Sequence, residues 1–138
     1  MARIIAFDYG TKRIGLAVTD PLQIIATGLD TIHPKDIIPY LKKYMETEAI
    51  DAFVIGDPKQ MDGSPSENAQ HVKGFCTTLK KNFPHIPQHL VDERFTSKIA
   101  QQTIMQSGLK KSERRDKERV DTISATLILQ YFMDKTRL

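Results

Sequence analysis

The spacing of apolar residues changes period along the chain, and each change predicts an element. Residues 3–9 (RIIAFDY) form a largely apolar strand, and Gly10-Thr11-Lys12 supplies a turn. Residues 13–19 (RIGLAVT) alternate as a returning strand, Asp20-Pro21 turns the chain again, and residues 24–32 give a third strand. Three consecutive strands with short links predict an antiparallel meander. The pattern then shifts toward a helical period. Asp36 can cap a helix reaching about Glu48, with Pro39 tolerated in its first turn.

Residues 52–55 (AFVI) form a short, wholly apolar run suited to a buried strand, which Gly56 is expected to end. Ser64-Pro65-Ser66-Glu67 reads as a capping box opening a helix to about Asn82, with Pro84 as its stop. Residues 88–91 give another strand, and Thr96 caps a helix ending at Gly108. Val120, Ile123, Leu127, Ile128 and Tyr131 recur at helical spacing, so a last helix is expected from about Glu118 to Met133. The order β-β-β-α-β-α-β-α-α predicts an α/β fold with a five-stranded mixed sheet and helices on its faces.

Size and composition narrow this reading. The 138 residues contain no repeat or convincing linker, which points to a single domain spanning residues 1–138. No apolar run reaches the roughly 20 residues that span a bilayer, and the N-terminus does not read as a signal peptide. Cys76 is the only cysteine, so an internal disulfide is excluded and a reducing cytoplasm fits. Its ordinary role is to fill core space on a helix. The segment from Lys110 to Arg119 carries six basic and three acidic residues and so accounts for the whole net charge of +3. Basic charge concentrated on a neutral body suits a local polyanion contact, and equally a solvated loop.

Three acids stand where elements begin or end. Asp8 stands near the C-terminal end of the first strand, and its ordinary alternative is a turn-forming Asp before Tyr9-Gly10. Asp92-Glu93-Arg94 follows the last strand, at the carboxyl end where open α/β sheets bind ligands. Strand alternation puts only one of these two acids on the side of Asp8; a plain polar strand end is the alternative. Asp121 stands four, seven and eleven positions before Ala125, Ile128 and Phe132, at the head of an apolar stripe. A carboxylate there is costly unless paired, capped or metal-bound, although a helix N-terminus also favours an acid. Carboxylates remote in sequence but gathered in space are what metal-assisted phosphoryl transfer requires. Gly56-Asp57-Pro58 to Gly63 reads as a substrate loop but lacks the Gly-Lys-Ser/Thr of a P-loop. Pro84 and Pro87 prevent His85 and His89 from sharing a helical face, which argues against zinc.

Four motifs then occur in order: Phe7 to Gly15 (FDYGTKRIG), Pro58 to Gly63 (P-x-x-M-D-G), Asp92 to Ser97 (DERFTS) and Val120 to Ala125 (V-D-x-x-S-A). Together they resemble the YqgF/RuvX family of the RNase H-like superfamily, whose members are described as Holliday junction resolvases or pre-16S rRNA nucleases. The resemblance implies a Mg²⁺- or Mn²⁺-dependent hydrolase, an endonuclease in expectation. Its roles would lie in ribosome biogenesis through rRNA processing, or in DNA recombination and repair. It further implies that Asp8, Glu93 and Asp121 are catalytic metal ligands, and that Lys12, Arg13, Arg94, Lys117 and Arg119 contact nucleic acid.

Two positions depart from the family pattern. Asp57 stands where an apolar residue usually lies between Gly and Pro, and Lys117-Glu118-Arg119 replaces a glycine-rich approach to the last motif. Asp-Tyr-Gly-Thr in a first hairpin also resembles the phosphate signature of actin and sugar kinases, but a second domain and a second phosphate loop are missing. The other alternative is a non-catalytic nucleic-acid-binding module of the same fold, in transcription or ribosome assembly. Retention of all three acids favours an enzyme. Monomer and homodimer both remain open, as do RNA and DNA as substrate.

Overall fold

The computed structural model describes residues 2–58, 67–93 and 117–136; in the last helix, side chains are described from Thr122 onward. Five strands, β1 (Arg3–Tyr9), β2 (Ile14–Thr19), β3 (Ala26–Ile32), β4 (Ile50–Asp57) and β5 (Gln88–Asp92), form one sheet in the order β3-β2-β1-β4-β5. The expected meander is present: β1–β2 and β2–β3 pair antiparallel, while β4 and β5 add in parallel on the other side of β1. Described helices are α1 (Ile37–Tyr44), α2 (Ala69–Asn82) and α3 (Lys117–Thr136).

The two sheet faces differ in side-chain size, and this decides what packs on each. Ile5, Phe7, Ile14, Leu16, Phe53 and Ile55 point to one face and bury Leu41 of α1 and Val72, Phe75 and Leu79 of α2. Phe7 meets Phe53 and Phe75 edge to face, with ring centroids 5.4 and 5.2 Å apart. The opposite face carries Ile4, Ala6, Ala17, Ala52, Val54 and Val91, most of them smaller. Helix α3 lies against it through Ala125, Ile128, Leu129 and Met133. At Gly28 an added Cβ would fall 3.3 Å from Thr122 Cβ, so a small residue permits α3 to approach β3.

Several boundaries differ from the sequence expectation, each for a visible reason. β3 begins at Ala26 because the Asp20 carboxylate accepts the backbone N–H groups of Leu22, Ile24 and Ile25 at 3.2, 2.7 and 2.7 Å. Those bonds fold residues 20–25 into a turn that includes Gln23 at φ 57°. α1 starts after a 3-10 turn (Pro34–Asp36) in which His33 Nδ1 accepts from Lys35 N; Asp36 makes no side-chain cap. It ends at Tyr44, and Glu48 beyond it pairs with Arg3 at 2.9 Å. β4 does not stop at Gly56, because Gly56 and Asp57 pair with Val91 and Asp92. The Ser64 capping box and the Thr96–Gly108 helix lie outside the described residues. α2 is described from Ala69, where the Asn68 side chain donates to Tyr9 O at 3.2 Å and ties the helix start to the end of β1.

Candidate active site

Asp8 is the penultimate residue of β1, the middle strand of the sheet. It follows Ile4 and Ala6 at strand spacing, which puts it on the α3 face. Gly15 is its partner on β2, and Gly56 lies one position beyond the Phe7–Ile55 pair on β4. Glycines therefore flank Asp8 on both neighbouring strands.

β5 brings the second acid. Its register sets His89 beside Val54 and Val91 beside Gly56, so its odd positions share the α3 face, and His89 accordingly meets Phe132 at a tilt with ring centroids 5.0 Å apart. Glu93 directly follows the strand. The carboxyl groups of Glu93 and Asp8 share a hydrogen bond in which protonated Glu93 donates. Burial pushes the Glu93 carboxyl up to about 9; the negative charge of Asp8 is the next cause, then that hydrogen bond, with Asp57 and Asp92 adding smaller repulsions. Glu93 also lies against Gly56, where an added Cβ would come within 2.7 Å of Cδ and 2.8 Å of Cγ.

Of the two adjacent acids, Asp92 belongs elsewhere. It pairs in register with Asp57, a residue of the same strand parity as Phe53 and Ile55, on the face that α2 covers. Asp57 thus lies near Glu93 without sharing the side of Asp8. It lines a cavity of about 410 Å³ with Val72, Lys73, Cys76 and Leu90. Burial, then Asp57, raises the Cys76 thiol, which suits its place beside the core rather than a nucleophilic role.

The third acid is placed by its helix. Asp121 stands in α3 one turn before Ala125, which is fully buried against the sheet, so it heads the stripe that covers the face of Asp8. Lys117, Glu118 and Arg119 lie in the same helix, which thus extends into the basic segment. Lys12 and Arg13 lie between β1 and β2, beside the carboxyl end of β1, with Lys12 exposed and Arg13 half-buried. Arg94 lies outside the described residues.

Gly56, expected from the sequence to end β4, lies inside the strand and beside Glu93. Its signal was a glycine beside a wholly apolar strand, which reads as a terminator unless the register is known. The acids fit a divalent cation chemically: two carboxyls held close enough to share a proton can share a cation instead. Among the described residues no three acids, histidines or cysteines form a ready metal cluster.

Known proteins share this plan. A T. thermophilus RuvC in complex with Holliday junction substrate matches with a TM-score of 0.54 at 13% identity, covering 98% of this chain and 96% of that one. That likeness shows the RNase H-like fold. A protein of Christiangramia forsetii is 50% identical over 133 residues, covering 96% of this chain and 98% of its own. One from Bacteroides fragilis is 46% identical over 138 residues, covering both chains fully. Both are named "Putative pre-16S rRNA nuclease". The family model described as RuvX, Holliday junction resolvase, matches residues 2–135, and the chain therefore belongs to the RuvX family of nucleases.

Proposed function

We propose that residues 1–138 form a single-domain, Mg²⁺- or Mn²⁺-dependent endonuclease that acts on precursor 16S rRNA in the cytoplasm. One observation carries the site: Asp8 and Glu93, remote in sequence, share a hydrogen bond between their carboxyls on the α3 face of the sheet. Asp121, at the head of the stripe packed on that face, is the third ligand. A divalent cation bound there supplies activation of water and neutralisation of charge on the phosphoryl oxygens. Glu93 is held largely protonated at neutral pH without a cation, so binding one releases a proton. Asp8, on the central strand, fixes the position of the cluster. Lys12 and Arg13 on the first turn, Lys117 and Arg119 at the start of α3, and Arg94 after β5 contact the phosphate backbone.

The names of the 46–50% identical relatives support the RNA substrate. The family description supports a second reading, incision of four-way DNA junctions. Incubation of the purified protein with precursor 16S ends and with junction DNA, with and without Mn²⁺, separates the two. Mn²⁺-dependent cleavage of the RNA is expected; cleavage of the junction alone would favour the second reading. Cleavage that persists in excess chelator, or in Asp8→Asn, would overturn the metal mechanism. A folded protein that binds nucleic acid and cuts neither substrate would favour a binding module.

A further inference from the structure

We infer that Gly56 is a positioning residue for Glu93: the absence of a side chain at 56 is what lets the Glu93 carboxyl reach Asp8. This rests on the reading of Asp8 and Glu93 as metal ligands and deepens it. Gly56 lies inside β4, paired with Val91, and its backbone is outside the left-handed region. Conformational freedom therefore gives no reason for glycine here, and glycine inside a strand weakens it. Space gives the reason. A Cβ at 56 would meet three consecutive parts of one side chain: Glu93 Cγ at 2.8 Å, Cδ at 2.7 Å and, closer still, Oε1. A real Cβ does not stand that near, so the whole end of Glu93 would have to swing away. That carboxyl is committed to the hydrogen bond with Asp8, and moving it separates the two acids. The neighbours of Gly56 on the same strand, Phe53, Val54 and Ile55, are fully buried apolar residues, so a larger side chain is the norm here.

The test is a cycle of Gly56→Ala and Glu93→Ala, read in three ways. In metal-free protein, the Glu93 carboxyl ¹³C resonance is followed by NMR with and without Asp8→Asn. It should respond to Asp8→Asn in the wild-type background and lose that response in Gly56→Ala. Mn²⁺ affinity, from electron paramagnetic resonance, should weaken in Gly56→Ala by about tenfold or more, as for residues that orient metal ligands. In the Glu93→Ala background, Gly56→Ala should leave Mn²⁺ affinity unchanged. A Glu93 resonance that keeps its response to Asp8 in Gly56→Ala would overturn the inference. So would an equal loss of affinity in both backgrounds. If Gly56→Ala does not fold, folding of the Gly56→Ala/Glu93→Ala protein supports the inference, and failure of both overturns it. Unchanged Mn²⁺ affinity in Glu93→Ala alone would remove the metal reading, while the resonance still decides the role of Gly56.

Discussion

The two ends of the sheet handle a carboxyl group in opposite ways. At the β2–β3 turn, Asp20 accepts three backbone N–H groups. Its carboxyl is held below the ordinary range, chiefly by the N–H of Ile25. At the carboxyl end of β1, Glu93 lies half-buried among other acids, and its carboxyl is pushed far up. Donors from the backbone make a carboxylate comfortable, and such a group is finished chemically. Burial beside other acids instead holds the group in its protonated form, as the proposed cation site requires of an acid that gives up its proton on binding. The first arrangement stabilises a turn; the second stores a binding demand. Raised acids of this kind mark functional sites more often than structural ones.

Four experiments would break or sharpen this contrast. The largest effect is expected from Asp8→Asn, Glu93→Gln or Asp121→Asn, each lowering cleavage by on the order of a thousandfold or more. The fold should survive in each, as circular dichroism would show, because relieving crowded acids does not weaken the core. A large fall in Tm with any of them would make that acid structural. Asp20→Ala, by contrast, should leave cleavage unchanged.

The second effect concerns pH in metal-free protein. The folded-state pKa of Glu93 lies above its usual value, so the folded state binds the extra proton between about 4.5 and 9. Stability should therefore fall as pH rises through that window, by at most about 1.4 kcal/mol per unit. Urea unfolding across this range checks the sign. Glu93→Gln should flatten the slope, and saturating Mn²⁺ should flatten it too, since the cation takes the place of the proton. Asp20 works in the other direction, contributing stability above its unfolded value that disappears as pH falls through its lowered pKa.

Smaller changes are expected from surface cations. Replacing Lys117 and Arg119 with Ala should reduce the salt dependence of nucleic-acid binding by roughly 1.5 in the log–log slope. Replacing Lys42 and Lys43, in the last turn of α1, should leave that slope alone. Equal effects from the two pairs would mean diffuse charge rather than a contact at the start of α3. Smallest of all, Asp20→Ala should lower Tm by a few degrees through loss of the turn's three bonds. A larger drop would show that the turn also supports the N-terminus, where the Gln23 side chain donates to Ala2 O at 2.8 Å.

Much of the fold was legible from local pattern. β1 runs over Arg3–Tyr9 as its apolar residues indicate, and the stripe of α3 from Ala125 and Ile128 reaches Leu129 and Met133 in the core with Phe132 partly buried, whereas Tyr131 is exposed. Ends of elements were less legible, because side chains from elsewhere decide them. Asp20 delays β3, and pairing with β5 carries β4 through Gly56. Asp8 was visible as an acid near the end of an apolar strand. Asp57, which departs from the family pattern, lies by strand parity on the α2 face, although its charge still raises the Glu93 carboxyl. Glu118, the other departure, lies within α3.

By itself the sequence determined the alternation that gives each strand two faces, the apolar stripe of α3 and the identities of the acids. Periodicity is a local property of the backbone, so it survives without knowledge of neighbours. The family resemblance already favoured Glu93 over Asp92, but the physical reason for that choice rests on register. Only the assembled sheet fixes which odd or even positions of β5 share a face with Asp8. The raised carboxyl of Glu93 and the space left by Gly56 belong to the same class. Both arise from atoms brought together by strands distant in sequence, and burial and crowding exist only once those strands have paired.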